Sequence, residues 1–182
     1  MGSAREELKR LIIDKALRHG DFTLTSGAKS TYYIDGKQVT LDPEGAHLVG
    51  EVLFDLIKDL EVDAIGGLTL GADPVATAVA VISHERGKPI PAFIVRKGAK
   101  AHGIMKRIEG PIKPDSKVVI VEDVVTKGGS ALKAANAAEE EGHTVVKVIC
   151  LVDRLQGGRE ALESAGYDFE PVFEVTELGV KP

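Results

Sequence analysis

The chain predicts an α/β protein built on an open, mostly parallel, doubly wound sheet. Short valine-rich runs, pure enough for strands buried on both faces, alternate three times with helical segments rich in small residues. Each run ends in a glycine-containing turn or in charge, and the residues able to do chemistry follow the runs. In such sheets ligands bind beyond the carboxyl ends of the strands.

Residues 4–18, AREELKRLIIDKALR, space Leu8, Leu11, Ile12 and Leu17 as an amphipathic helix, with Gly20 as its stop. The segment DFTLTSGAKSTYYID reads as two short strands, 22–24 and 32–34, joined by a Ser-Gly loop. Tyr32 and Tyr33 point to opposite faces of their strand, so at most one enters a given pocket, and core packing is the role expected of each taken singly. Asp42 and Pro43 open a second helix as N-cap and first residue, with Leu48, Val52, Leu56 and Leu60 along one stripe. A strand at 63–66 leads through GLTLGADP into a helix capped by Asp73 and Pro74.

The strand 91–95 ends at Arg96 and Lys97, and residues 98–114 follow as a glycine- and proline-containing basic loop with short hairpin edges. The run at 118–121, VVIV, stops at Glu122 and Asp123, and after a turn the helix ALKAANAAEE runs to Gly142. The strand 144–152 ends at Asp153 and Arg154, and a loop, a short helix and an edge strand around 169–175 complete the chain.

With 182 residues, 43% of them hydrophobic and 28% charged, the composition suits one globular domain. The apolar runs are too short for a membrane span, no secretory signal is visible, and the single Cys150 lies in a strand, so a cytoplasmic setting is expected. A net charge of −5 argues against a nucleic-acid partner. Against that background Arg96, Lys97, Lys100, Lys106, Arg107, Lys113 and Lys117 are opposed only by Glu109 and Asp115, a local excess suited to a compact anion such as pyrophosphate. Gly66 and Gly71 have P-loop spacing, but Ala72 and Asp73 occupy the places of the required Lys and Ser or Thr, and no G-x-G-x-x-G is present. An ATPase and a nicotinamide enzyme are thereby set aside.

The most informative stretch is KVVIVEDVVTKGGSAL. A buried strand, two carboxylates, Val124 and Val125, then Thr126, Lys127, Gly128, Gly129 and Ser130 at a helix start combine backbone N–H groups, hydroxyls and the helix dipole for a phosphate, with carboxylates for sugar hydroxyls. A lone Gly-Gly turn would carry no such reading. This stretch resembles the phosphoribosyl pyrophosphate (PRPP) motif of type I phosphoribosyltransferases. FTLTSGAKSTYYID, GLTLGADP, RKGAKAHG, VEDVVTKGGS and VDRLQGG also occur in the order seen in the orotate phosphoribosyltransferases of that class, so the likeness covers nearly the whole chain.

The resemblance implies a type I phosphoribosyltransferase fold in a single domain, 1–182, with a small hood from about 1–40 and 155–182. It implies transfer of the phosphoribosyl group from PRPP to orotate in pyrimidine synthesis, Mg²⁺ as cofactor carried by PRPP near Glu122 and Asp123, and a homodimer whose active sites share a loop. Glu122 and Asp123 resemble the pair beneath the ribose, Thr126 to Ser130 the phosphate cradle, with Val124 and Val125 also in the PRPP-binding stretch, and Arg96, Lys97, Lys100 and His102 the pyrophosphate set. Of these, Arg96, Lys100 and His102 are expected from the partner subunit. Lys100, His102 and Asp123 are the expected catalytic residues, and Thr126 and Arg154 resemble the orotate contacts. Gly71 and Thr25 stand where some members have lysine, and Lys127 stands where small residues are frequent. A purine-specific relative and a PRPP-sensing regulator without turnover are the alternatives.

Overall fold

The computed structural model describes residues 2–23, 29–98 and 107–182. Helix α1, Gly2–Leu11, ends in a π turn over Ile12–Ala16 and passes directly into strand β1, Leu17–Thr23. The expected helix therefore stops before Leu17, and Gly20 lies within a strand instead of ending a helix. Leu17 pairs with Ile34 of β2, Lys29–Ile34, so the hairpin ladder takes over the backbone hydrogen bonds that another helical turn would have made. Both hairpin strands are longer than the sequence suggested.

After β2 comes a single-turn helix absent from the sequence reading, α2, Lys37–Thr40, then α3, Pro43–Ile57. Asp42 caps α3 as expected, its Oδ1 accepting from the N–H groups of Glu44 and Gly45 at 3.1 and 3.0 Å. Strand β3 is Ala64–Leu68, and α4, Ala72–Glu85, begins one residue earlier than expected. Asp73 is consequently inside the first turn and caps nothing; its carboxylate accepts from the Thr69 hydroxyl at 2.7 Å.

Strand β4, Ala92–Val95, is followed by a two-residue edge strand β5, Ile108–Glu109. Strand β6, Lys117–Val125, does not stop at the carboxylates. Its pairing with β7, Thr144–Asp153, continues through Glu122 opposite Cys150 to Val125 opposite Asp153, because the neighbouring strand still offers backbone partners there. Helix α5, Gly129–Glu140, lies between them in sequence, and α6, Gly158–Ser164, β8, Phe169–Glu174, and a 3₁₀ turn, Val175–Leu178, close the described chain.

The main sheet has the order β5-β4-β3-β6-β7-β8, parallel except for β5, and β1-β2 form a separate antiparallel pair. Alternation along β6 and β7 divides the core into two layers. Val119, Val121, Ile149 and Leu151 pack with residues of α1, α3 and α4, while Val118, Ile120, Val148 and Cys150 pack with the alanines of α5 and with Leu162 of α6. Crossovers leave β3 and β6 in opposite lateral directions. Their adjacent carboxyl ends make the switch point at which open α/β sheets bind ligands.

Candidate active site

At that switch point β6 presents Glu122 and Asp123, 6% and 8% exposed. Asp123 Oδ1 accepts from the Val124 N–H at 2.9 Å, whereas the buried Oε2 of Glu122 has no hydrogen-bond partner among the described residues. Burial, together with the neighbouring Asp123 charge, pushes the Glu122 carboxyl up to about 9. Two glycines let backbone come down onto this pair. A Cβ at Gly71 would lie 2.6 Å from Asp123 Oδ1 and from Glu122 Oε1, and one at Gly36 would lie 2.8 Å from Asp123 Cβ and Oδ2.

Beyond the acids, Gly128 adopts the left-handed conformation and caps α5, whose first N–H groups have no helical partner. Glu122, Val124, Val125, Thr126, Lys127, Gly128, Gly129 and Ser130 line a 130 Å³ cleft at this helix start, which is suited to a phosphate. A second cleft of 250 Å³ shares Glu122 and Ser130 with the first and is bounded by Thr69, Gly71, Lys97 and Asp123. A phosphorylated ring anchored in the first cleft would extend into the second.

Arg96 and Lys97 follow β4 and border a 450 Å³ cavity with Thr69 and Gly98; Arg96 is ion-paired to Glu109 at 2.8 Å. Lys100 and His102 lie outside the described residues, as does Thr25. Arg154, 4% exposed, is held on three sides. Its backbone N–H donates to the Val125 carbonyl at 2.9 Å, Nε to the Tyr32 hydroxyl at 3.3 Å, and Nη2 to Ser30 Oγ at 3.2 Å. The Cζ atom also sits 4.6 Å from the centre of the Tyr32 ring. Tyr32 is buried and Tyr33 is 42% exposed with its ring against Phe22, so the two tyrosines divide as strand alternation requires. Cys150 is fully buried, and burial holds its thiol well above its ordinary range, which removes it as a nucleophile.

Three further residues, which the sequence did not mark, stand against those of the candidate site. Ser30 and Tyr32 orient Arg154 from a hairpin more than 120 residues away, and the spacing contained no sign of that partnership. Lys37 places Nζ 3.7 Å from Asp123 Oδ2 and 3.0 Å from Asp35 Oδ1. It lies in a helix too short to leave a periodic signal.

An acid pair, a helix-start phosphate cleft and a basic strand end around one switch point define a protein that handles a phosphorylated sugar, and comparison with known proteins specifies the class. The family model described as Phosphoribosyl transferase domain matches residues 36–169. The chain belongs to this family. It is 48% identical to the orotate phosphoribosyltransferase of Aquifex aeolicus over 177 residues, covering 96% of this chain and 97% of that protein. The enzyme of the same name from Streptomyces avermitilis is 48% identical over 181 residues, 99% of this chain and 100% of its own length. Among solved structures, Mycobacterium tuberculosis orotate phosphoribosyltransferase in complex with PRPP superposes with a TM-score of 0.82 at 39% identity, covering 97% of this chain and 99% of that one. The expected type I phosphoribosyltransferase fold is borne out.

Proposed function

We infer that this chain is an orotate phosphoribosyltransferase, joining orotate to PRPP to give orotidine 5′-monophosphate and pyrophosphate in pyrimidine synthesis. The observation that carries the base assignment is the buried guanidinium of Arg154, held by Ser30 and Tyr32 beside the phosphate cleft. A fixed, desolvated guanidinium on the base side of the ribose site favours a planar substrate bearing a carboxylate, which it can meet with two parallel hydrogen bonds. The full-length likeness to enzymes of this name supports the same reading.

In this mechanism Thr126 to Ser130 hold the 5-phosphate and the acid pair lies under the ribose. Breaking the bond from the anomeric carbon to pyrophosphate leaves positive charge on the sugar and negative charge on the leaving group. Asp123 accepts from a ribose hydroxyl and stabilises the cationic ring, and Lys97, with Lys100 and His102, neutralises the leaving group. Orotate, oriented by Arg154 and Thr126, then bonds through its ring nitrogen N1 to the anomeric carbon, and the N1 proton passes to the departing pyrophosphate. No protein nucleophile is used.

Mg²⁺ is proposed as cofactor. Among the described residues no cluster of three or more His, Cys, Asp or Glu could hold a metal ion. Glu122 and Asp123 nevertheless offer oxygen atoms, and a hard cation held mainly by substrate phosphates needs only one or two nearby carboxylates. Bound with PRPP, Mg²⁺ would supply charge neutralisation to the leaving pyrophosphate.

A homodimer is proposed on an exposed apolar face. Leu41 and Leu70 are each 69% exposed and Val81 is 52% exposed, around a 720 Å³ groove that also borders Lys37. By the family resemblance, Arg96, Lys100 and His102 are proposed to act on the site of the other subunit. The hood is proposed as α1, the β1-β2 hairpin and the segment from 155 onward. A cytoplasmic location fits the absence, among the described residues, of a helix long and apolar enough to cross a membrane.

The test is a panel of bases supplied with PRPP and Mg²⁺. Orotate should be consumed in proportion to pyrophosphate released; turnover of a purine or of uracil with orotate left untouched would refute the assignment. Binding of PRPP without turnover of any base would favour a sensing role.

A further inference from the structure

Lys37 begins α2 and lines the 250 Å³ cleft together with Lys97, Gly71, Asp123 and Ser130. Its ammonium lies between Asp35, at 3.0 Å, and Asp123, at 3.7 Å. The side chain is 44% exposed. An ion pair that open to solvent contributes little to stability, so the fold gives Lys37 no strong structural employment.

Its placement is nevertheless tightly determined. Gly36 has no side chain, and a Cβ there would strike Asp123, so the chain entering α2 lies directly against Asp123 and delivers Lys37 to the cleft. On the opposite side the turn after β3 carries Gly71, which contributes no side-chain cation. The cleft is therefore lined by two ammonium groups, Lys37 and Lys97, beside the carboxyls of Glu122 and Asp123. Two ammonium groups lining one cleft offer charged donors to the oxygens of a multiply charged anion. The long lysine stem allows the ammonium to leave Asp35 without movement of the backbone.

We propose that Lys37 binds the diphosphate arm of PRPP, acting across the cleft from Lys97 and releasing its contact with Asp35 to do so. This rests on the reading of the cleft as a PRPP site. Asp35 holds the ammonium near the cleft entrance while the site is empty, and Asp123 remains free to face the ribose.

The test compares wild type with Lys37→Met, Lys37→Gln and Lys37→Arg, using calorimetry with Mg²⁺ present. The ligands are pyrophosphate, PRPP and orotidine 5′-monophosphate, the last of which has a ribose and 5-phosphate but no diphosphate. Loss of one charge-assisted contact should weaken pyrophosphate and PRPP about ten- to a hundredfold in the Met and Gln variants, with the nucleotide changed less than about twofold. The Arg variant should retain most of the affinity, and thermal unfolding should be unchanged in all three. Equal weakening of pyrophosphate and nucleotide would overturn the proposal by showing that Lys37 acts through Asp123 on the ribose, and unaltered pyrophosphate binding would overturn it outright. If wild type binds PRPP and pyrophosphate but does not consume orotate, the base assignment fails and the Lys37 comparison still decides this proposal. If wild type binds neither, both fall.

Discussion

The Tyr32 hydroxyl accepts from Nε of Arg154 at 3.3 Å, joining two residues 122 positions apart. This contact, with Ser30 on Nη2, fixes the direction of a guanidinium that would otherwise be free to rotate.

Tyr32→Phe keeps the ring beneath Arg154 and removes only the hydroxyl. Loss of one hydrogen bond of about 1 kcal/mol corresponds to a several-fold effect, expected as a rise in KM for orotate. KM for PRPP should be unaltered. Steady-state kinetics with each substrate varied in turn separates the two, and an equal rise in both would assign Tyr32 to general packing of the hairpin.

Glu122 links the site to stability. Its carboxyl has an ordinary value of 4.5 and is pushed to about 9 in the fold by burial and by Asp123. Between those two values the folded chain binds more protons than the unfolded one, so stability is fully present below 4.5 and falls as pH rises through the window. Glu122→Gln has no proton to lose. In metal-free protein the denaturant midpoint of the Gln variant should exceed that of wild type by a margin that grows with pH through the window and closes at its acidic end. Parallel midpoint curves for the two proteins would show that Glu122 ionises normally in the fold.

Gly71→Ala places a methyl group where both acid side chains already stand. Overpacking of this kind costs about 1–3 kcal/mol when neighbours cannot move freely. The carboxylates can turn away, so the larger expected effect is on function: PRPP affinity should fall more than tenfold, with an unfolding loss at the low end of that range. A variant with wild-type PRPP affinity would mean that the acid pair does not need its present position.

Much of this site was legible in one dimension because it is local. Glu122 to Ser130 occupy consecutive positions at the end of a strand and the start of a helix, and a phosphate cradle made from backbone N–H groups needs nothing further from the chain. The rim positions of Arg96, Lys97 and Arg154 were legible for a related reason, since each follows a strand and strand ends share a rim. Strand and helix limits were less accessible. The length of β6 beyond its acids depends on β7 being available to pair with it, and the exchange of helix for strand at Leu17 depends on Ile34.

By itself the sequence determined the alternating α/β order and the sugar-phosphate motif, because periodicity and short motifs are properties of neighbouring residues, and its resemblance to a known family supplied the class of enzyme. Only the tertiary structure decided that Asp73 binds Thr69 instead of capping α4, that Ser30 and Tyr32 aim Arg154, and that Lys37 stands over Asp123. Those are contacts between side chains brought together by packing. Their energies depend on distance and burial, which no spacing along the chain encodes.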